Sequence, residues 1–152
     1  MPSFSLNPAQ SKKLMKRSAS AVWEGNLKDG QGTISTESGV LSQTSYSFST
    51  RFENGRGTNP EELVAAAHAG CFSMALSAEL GKASITPKSI HTTANLTTER
   101  LEAGWTVTAI HLDVNARIPG GDKARYEAAA NAAKADALFR ACSTLRLRWK
   151  PG

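Results

Sequence analysis

Residues 59–80 constrain this fold more than any other part of the chain. Asn59 is a good N-cap, and Pro60 suits the first helical position, where its missing N–H is not needed. Glu61 and Glu62 stand where a helix dipole favours negative charge. From Leu63 to Leu80 nearly every side chain is apolar or small, whichever face of the helix it occupies. A helix of that kind is expected to be buried on all sides. Cys71 lies in its middle, so the thiol is either inert packing or a reactive group held in a built pocket.

At 152 residues the chain is long enough for one domain with a real core. Leu63–Leu80 is the apolar run that comes closest to a membrane span. It is interrupted by His68, Glu79 and several serines, so it reads as a core helix and no membrane partner is expected. The first residues lack the apolar stretch of a secretory signal, which points to a cytoplasmic protein. There the two cysteines argue against a structural disulfide and leave redox chemistry open.

The net charge of +5 belongs to the ends of the chain. Lys12, Lys13, Lys16 and Arg17 lie in a polar leader, and Arg140, Arg146, Arg148 and Lys150 lie in the last thirteen residues. Between Ser18 and Ala135, ten Lys and Arg face twelve Asp and Glu, a net of −2. Basic ends bind nucleic acid through phosphates. No aromatic platform or groove-reading helix accompanies them, so nucleic acid is not an expected partner.

The pattern divides the chain into a leader over 1–17, with Met15 as a second candidate start, a domain over 18–135 and a divergent tail over 136–152. Strands are expected at Ser18–Asn26, Gly32–Thr36, Tyr46–Phe52, Ile90–Thr98 and Trp105–Arg117, with Asp122 capping a second helix from Lys123 to about Ala135. Strands, helix, strands, helix is an α+β order with antiparallel sheet.

The segments Trp23-Glu24-Gly25, Gly32–Leu41, Thr50-Arg51-Phe52-Glu53 and the 59–80 helix resemble the OsmC and organic hydroperoxide resistance family of cysteine-based thiol peroxidases. The likeness covers about Arg17 to Ala135, and the run Ala67-His68-Ala69-Gly70-Cys71-Phe72-Ser73-Met74 is similar to the OsmC branch. The resemblance implies antiparallel sheets wrapped around long central helices in an intertwined homodimer. It implies that Cys71 is the peroxidatic cysteine, that Arg51 stabilises its thiolate and positions the peroxide, and that Glu61 orients Arg51. It also implies protection against oxidative and osmotic stress by reducing organic hydroperoxides and hydrogen peroxide to alcohols or water, with a dithiol or lipoyl-type reductant and no metal or organic cofactor.

Elementary chemistry agrees with those roles. An apolar helix disfavours a thiolate unless a fixed cation stands near it, and arginine supplies one that cannot be lost. A carboxylate can hold the guanidinium fork in place. Glu61 and Cys71 are ten residues apart, about 15 Å along a straight helix, so two antiparallel copies would be needed to bring one beside the other. Read alone, Arg51 is a solvated strand residue and Glu61 a helix-start charge. His68, one turn before Cys71, is better read as packing or polar network than as a base for the thiol.

The resemblance ends near Ala135. The family's resolving cysteine would align with Ala137, and the chain offers Cys142 instead, five positions on and rotated by about 140° on a continuing helix. Synonymous codons for Asp136 onward, read one frame over, give Cys-Pro-Val-Ser; those for Cys142 to Lys150 give Leu-Asn-Ala-Glu-Ile-Thr-Leu-Glu, the family's ending. The tail thus has the form of that ending in a shifted reading frame. Its alternation of Leu145 and Leu147 with Arg146 and Arg148 still suits an edge strand.

Overall fold

The computed structural model describes residues 15–136 and 143–151. The chain forms two compact units, one ending at Gly57 and one beginning at Thr58.

The first unit is a three-stranded antiparallel sheet in the order β1 (Ala19–Glu24), β2 (Gln31–Thr36) and β3 (Thr44–Ser47), followed by a short helix, α1 (Phe48–Phe52). Trp23 and Tyr46 lie across the sheet with ring centroids 5.3 Å apart. Gly32 sits between them on the middle strand. A Cβ there would come within 2.5 Å of the Tyr46 ring and 2.9 Å of the Trp23 ring, so only glycine leaves room for both.

The strand expected over Tyr46–Phe52 is not what forms: it ends at Ser47 and the chain turns into α1. Ser47 Oγ accepts from the Thr50 amide at 3.3 Å, and Thr50 Oγ1 accepts from the Ser47 amide at 2.9 Å. This reciprocal cap satisfies the amides that a ladder would otherwise pair, and it starts a helical turn inside an alternating sequence.

The second unit contains α2 (Pro60–Lys82), the long hairpin β4 (Ser89–Leu101) and β5 (Gly104–Ile118), α3 (Lys123–Asp136) and β6 (Ser143–Pro151). The α2 start is as the sequence implies: Asn59 Oδ1 accepts from the Glu62 amide at 2.8 Å, with Pro60 in the first turn. Asp122 Oδ1 caps α3 by accepting from the Arg125 amide at 2.8 Å. The sheet order is β4–β5–β6. Its hairpin is antiparallel, but β6 runs parallel to β5, with Ile110 opposite Ser143 and Ile118 opposite Pro151. The sheet is therefore mixed, not antiparallel throughout. The α3 crossover returns the chain to the starting end of β5, and that geometry imposes the parallel direction.

Three periodicities meet in the core. Phe72, Leu76 and Leu80 recur every fourth residue of α2; Ile110, Leu112, Val114, Ala116 and Ile118 recur every second residue of β5; Tyr126, Ala129, Ala130 and Ala133 line one side of α3. Leu145, Leu147 and Trp149 of β6 pack against this cluster. Burial pushes the Tyr126 phenol up to about 12, and its hydroxyl donates to the Arg148 carbonyl at 3.3 Å.

The burial of α2 differs from expectation. Only the stripe His68, Phe72, Leu76, Leu80 is buried, while Met74 is 77% exposed. The helix is apolar on every face, but among the described residues only one of those faces is buried. By length and composition α2 would also suffice to cross a membrane, so its length alone does not set it apart from a membrane span. Its buried stripe nonetheless belongs to the protein core, and Ser73 on its flank donates to the Ala69 carbonyl and pairs with the Thr92 hydroxyl of β4 at 2.8 Å.

Candidate functional site

Cys71 lies in the middle of α2, beside the buried stripe rather than on it. Its thiol is free and half-buried, between buried His68 and Phe72 on one side and exposed Ala67, Gly70 and Met74 on the other. Among the described residues, and leaving aside Gly70's chain neighbours, no side chain lies within 4 Å of where a Gly70 Cβ would sit, so the helix surface at Gly70 is open. A cysteine that is only partly buried is open to a small reactant in a way that a fully buried one is not.

His68 is fully buried, and burial holds its imidazole below the ordinary value, so it is neutral at pH 7. It offers a substrate no exposed edge. This matches the packing or polar-network role and argues against a Cys71–His68 hydrolytic pair. Glu61 sits partly buried in the first turn of α2, about 15 Å along the axis from Cys71.

Arg51 belongs to the first unit. It is exposed in the last turn of α1, a helical position rather than the strand position expected of it. Its guanidinium carbon lies 5.0 Å from the centre of the Phe52 ring, a cation–π placement. Phe52 in turn packs on Phe48 at 4.9 Å between ring centroids. Arg51, Trp23, Leu27, Tyr46, Phe48 and Phe52 line a cavity of about 220 Å³. Sequence reasoning singled out Arg51 but missed this aromatic cavity. Its residues lie on two strands, a loop and a helix, and no spacing rule joins them.

Cys142 lies outside the described residues, as does Ala137.

A half-buried thiol at the flank of a long apolar helix, on a small α+β scaffold with a mixed sheet, defines the class: cysteine-bearing proteins of the OsmC fold. The chain belongs to the OsmC-like protein family, which matches residues 53–143 and so includes Glu61 and Cys71 but not Arg51. It is 53% identical over 115 residues to Peroxiredoxin OsmC of Escherichia coli K12, covering 76% of this chain and 80% of that protein. Among solved structures, the organic hydroperoxide resistance protein of Bacillus subtilis superposes with a TM-score of 0.60 at 21% identity, over 88% of this chain and 98% of that one. An OsmC-like protein of unknown function from Vibrio cholerae gives 0.67 at 15% identity, over 88% and 100%. At those identities the two structures speak for the fold alone.

Proposed function

We propose that the protein is a cysteine-based thiol peroxidase that reduces organic hydroperoxides and hydrogen peroxide. The observation that carries this reading is the free, half-buried Cys71 in the α2 segment of an OsmC-like chain. In the first step the Cys71 thiolate attacks the terminal oxygen of the hydroperoxide. The O–O bond breaks, the leaving alkoxide takes a proton to become the alcohol, and the sulfur becomes a sulfenic acid. A second thiol condenses with the sulfenic acid, releasing water and forming a disulfide, which an external dithiol reduces. The cycle draws on thiols alone, with no metal or organic cofactor.

In this reading Arg51 stabilises the thiolate and the peroxide oxygens, and Glu61 orients Arg51. The aromatic cavity beside Arg51 takes the organic part of the substrate. At about 220 Å³ it exceeds the roughly 150 Å³ apolar cavity known to hold benzene.

We also propose that the working unit is a homodimer. Two observations support it. The exposed side of α2 carries Ala67, Gly70, Met74, Ser77 and Gly81, a small, apolar surface suited to a second helix. In addition, every apolar side chain that is fully buried among the described residues lies after Gly57. A three-stranded sheet with no buried apolar side chain of its own needs a cover.

The resolving thiol is the least conventional part, because Cys142 replaces the cysteine that family resemblance would place at Ala137. The test is the intact mass of reduced protein before and after a slight excess of cumene hydroperoxide, with Cys71→Ser alongside. Loss of two hydrogens, abolished by the substitution, identifies Cys142 as the resolving partner. Added oxygen confined to Cys71 identifies a reactive cysteine that no thiol resolves. An unchanged mass would sink the peroxidase reading altogether.

A further inference from the structure

We infer that the outward face of the β4–β5–β6 sheet binds the phosphate backbone of double-stranded nucleic acid. The sequence alone places its positive charge at the two ends, where it looks like two separate tails. The fold changes that arrangement. Parallel pairing sets Lys150 opposite Arg117, Arg148 opposite Asn115 and Arg146 opposite Asp113. Leu145, Leu147 and Trp149 turn toward the core, so Arg146, Arg148 and Lys150 all stand on the exposed face with Arg117.

The face carries one carboxylate in this region, Asp113, which forms an ion pair with Arg146 at 3.7 Å and lies 3.8 Å from the His111 imidazole. Among the described residues no ion pair engages Arg117, Arg148 or Lys150. These three are the available cations. Arg117 and Lys150, with Ser89, His91 and Asn115, line a depression of about 400 Å³ at one end of the sheet. Hydroxyl, amide and guanidinium donors there suit phosphate oxygens.

Spacing favours a regular polyanion. Alternate residues of a strand are about 6.6 Å apart, close to twice the 3.4 Å axial spacing of phosphates along one strand of a duplex. Composition speaks against the other polyanionic surface, a membrane. The outward side chains over 89–97, 111–117 and 144–150 are Ser, Thr, Asn, His, Asp, Arg and Lys, and a face that inserts into lipid needs apolar side chains. The same composition offers no Trp, Tyr or Phe ring on which an unpaired base would stack. Contact is therefore to backbone and independent of sequence, which is why the absence of a groove-reading helix is no obstacle.

The test is fluorescence anisotropy of a short labelled DNA duplex titrated with the full chain. Three phosphate contacts predict a log–log salt slope of about −2.7, or roughly a 40-fold loss of affinity between 50 and 200 mM salt. Arg117→Gln/Arg148→Gln/Lys150→Gln is expected to abolish this binding while leaving peroxide reduction intact. A parallel variant with Lys12, Lys13, Lys16 and Arg17 changed to Gln is expected to bind nearly as the parent does. The idea is overturned if affinity follows the leader variant instead, if the parent's salt slope is flat, or if phosphatidylserine vesicles are bound and the duplex is not. The salt slope is read on the unmodified chain, so a variant that fails to fold does not shield the idea.

Discussion

If the cavity beside Arg51 seats the organic part of a hydroperoxide, its apolar wall sets substrate preference and can be weakened without touching the thiol. Leu27 is the wall residue best suited to this. It is 66% exposed in the free protein, and it lies in a turn held by its neighbour: Asn26 Oδ1 accepts from the Lys28 and Asp29 amides at 3.0 and 2.8 Å. Leu27→Ser leaves that turn intact. Full burial of a leucine stabilises by roughly 1.5–3 kcal/mol, and a substrate tail that covers the exposed two-thirds gains about 1–2 kcal/mol of it. Loss of that contact predicts a fall in kcat/KM for cumene hydroperoxide of about 5- to 30-fold. Hydrogen peroxide has no tail to bury, so its kcat/KM should stay within about twofold. Both constants come from one reductant-coupled assay on the same preparation. An equal fall for both substrates would show that Leu27 supports the reacting groups rather than the tail. No fall for either would show that the cavity is not used.

Because His68 is buried and holds fewer protons folded than unfolded, stability should be flat above about pH 6.5 and decline below it, by up to about 1.4 kcal/mol per pH unit. Urea midpoints at neutral and mildly acid pH would read this, and His68→Gln should remove most of the decline; a decline unchanged in that variant assigns it to other groups. In the core, Leu76→Ala should cost about 3–5 kcal/mol in urea denaturation, since Leu76 is fully buried in the hydrophobic cluster; a cost below about 1 kcal/mol would mean the site collapses around the loss. Sequencing the coding DNA across codons 130–145 tests the shifted-frame origin of the tail: a neighbouring frame that encodes Cys-Pro-Val-Ser is expected, and its absence ends the proposal.

The parts of the fold that were legible in the sequence are those fixed by local chemistry. Asn59, Pro60 and Asp122 mark helix starts because a side-chain oxygen, or a missing N–H, acts within one turn. The alternation in Ile90–Thr98 and Trp105–Arg117 marks two strands because their inward residues meet one core. The misreadings arose where the deciding partner is remote or where two local signals compete. Tyr46–Phe52 alternates like a strand, but the Ser47–Thr50 cap wins. The tail's alternation gives a strand, while its direction depends on where α3 delivers the chain. For the candidate site, family likeness is what singles out Cys71 and Arg51, whereas the cavity around Arg51 exists only once Trp23, Leu27 and Tyr46 are folded beside α1.

The direction of β6 also bears on how the sheet is assembled. The hairpin joins β4 to β5 across only Glu102 and Ala103, whereas residues 119–142 intervene between β5 and β6. Closing the longer connection costs about 2 kcal/mol more in chain entropy, by the logarithmic dependence on loop length. That deficit falls on a strand that, among the described residues, has a hydrogen-bonded neighbour on one side only. The hairpin is a local structure, complete once its turn is made. Of the two connections, the one to β6 carries the larger cost, so the edge that holds Arg146, Arg148 and Lys150 is also where this sheet resists its own chain entropy with the least margin.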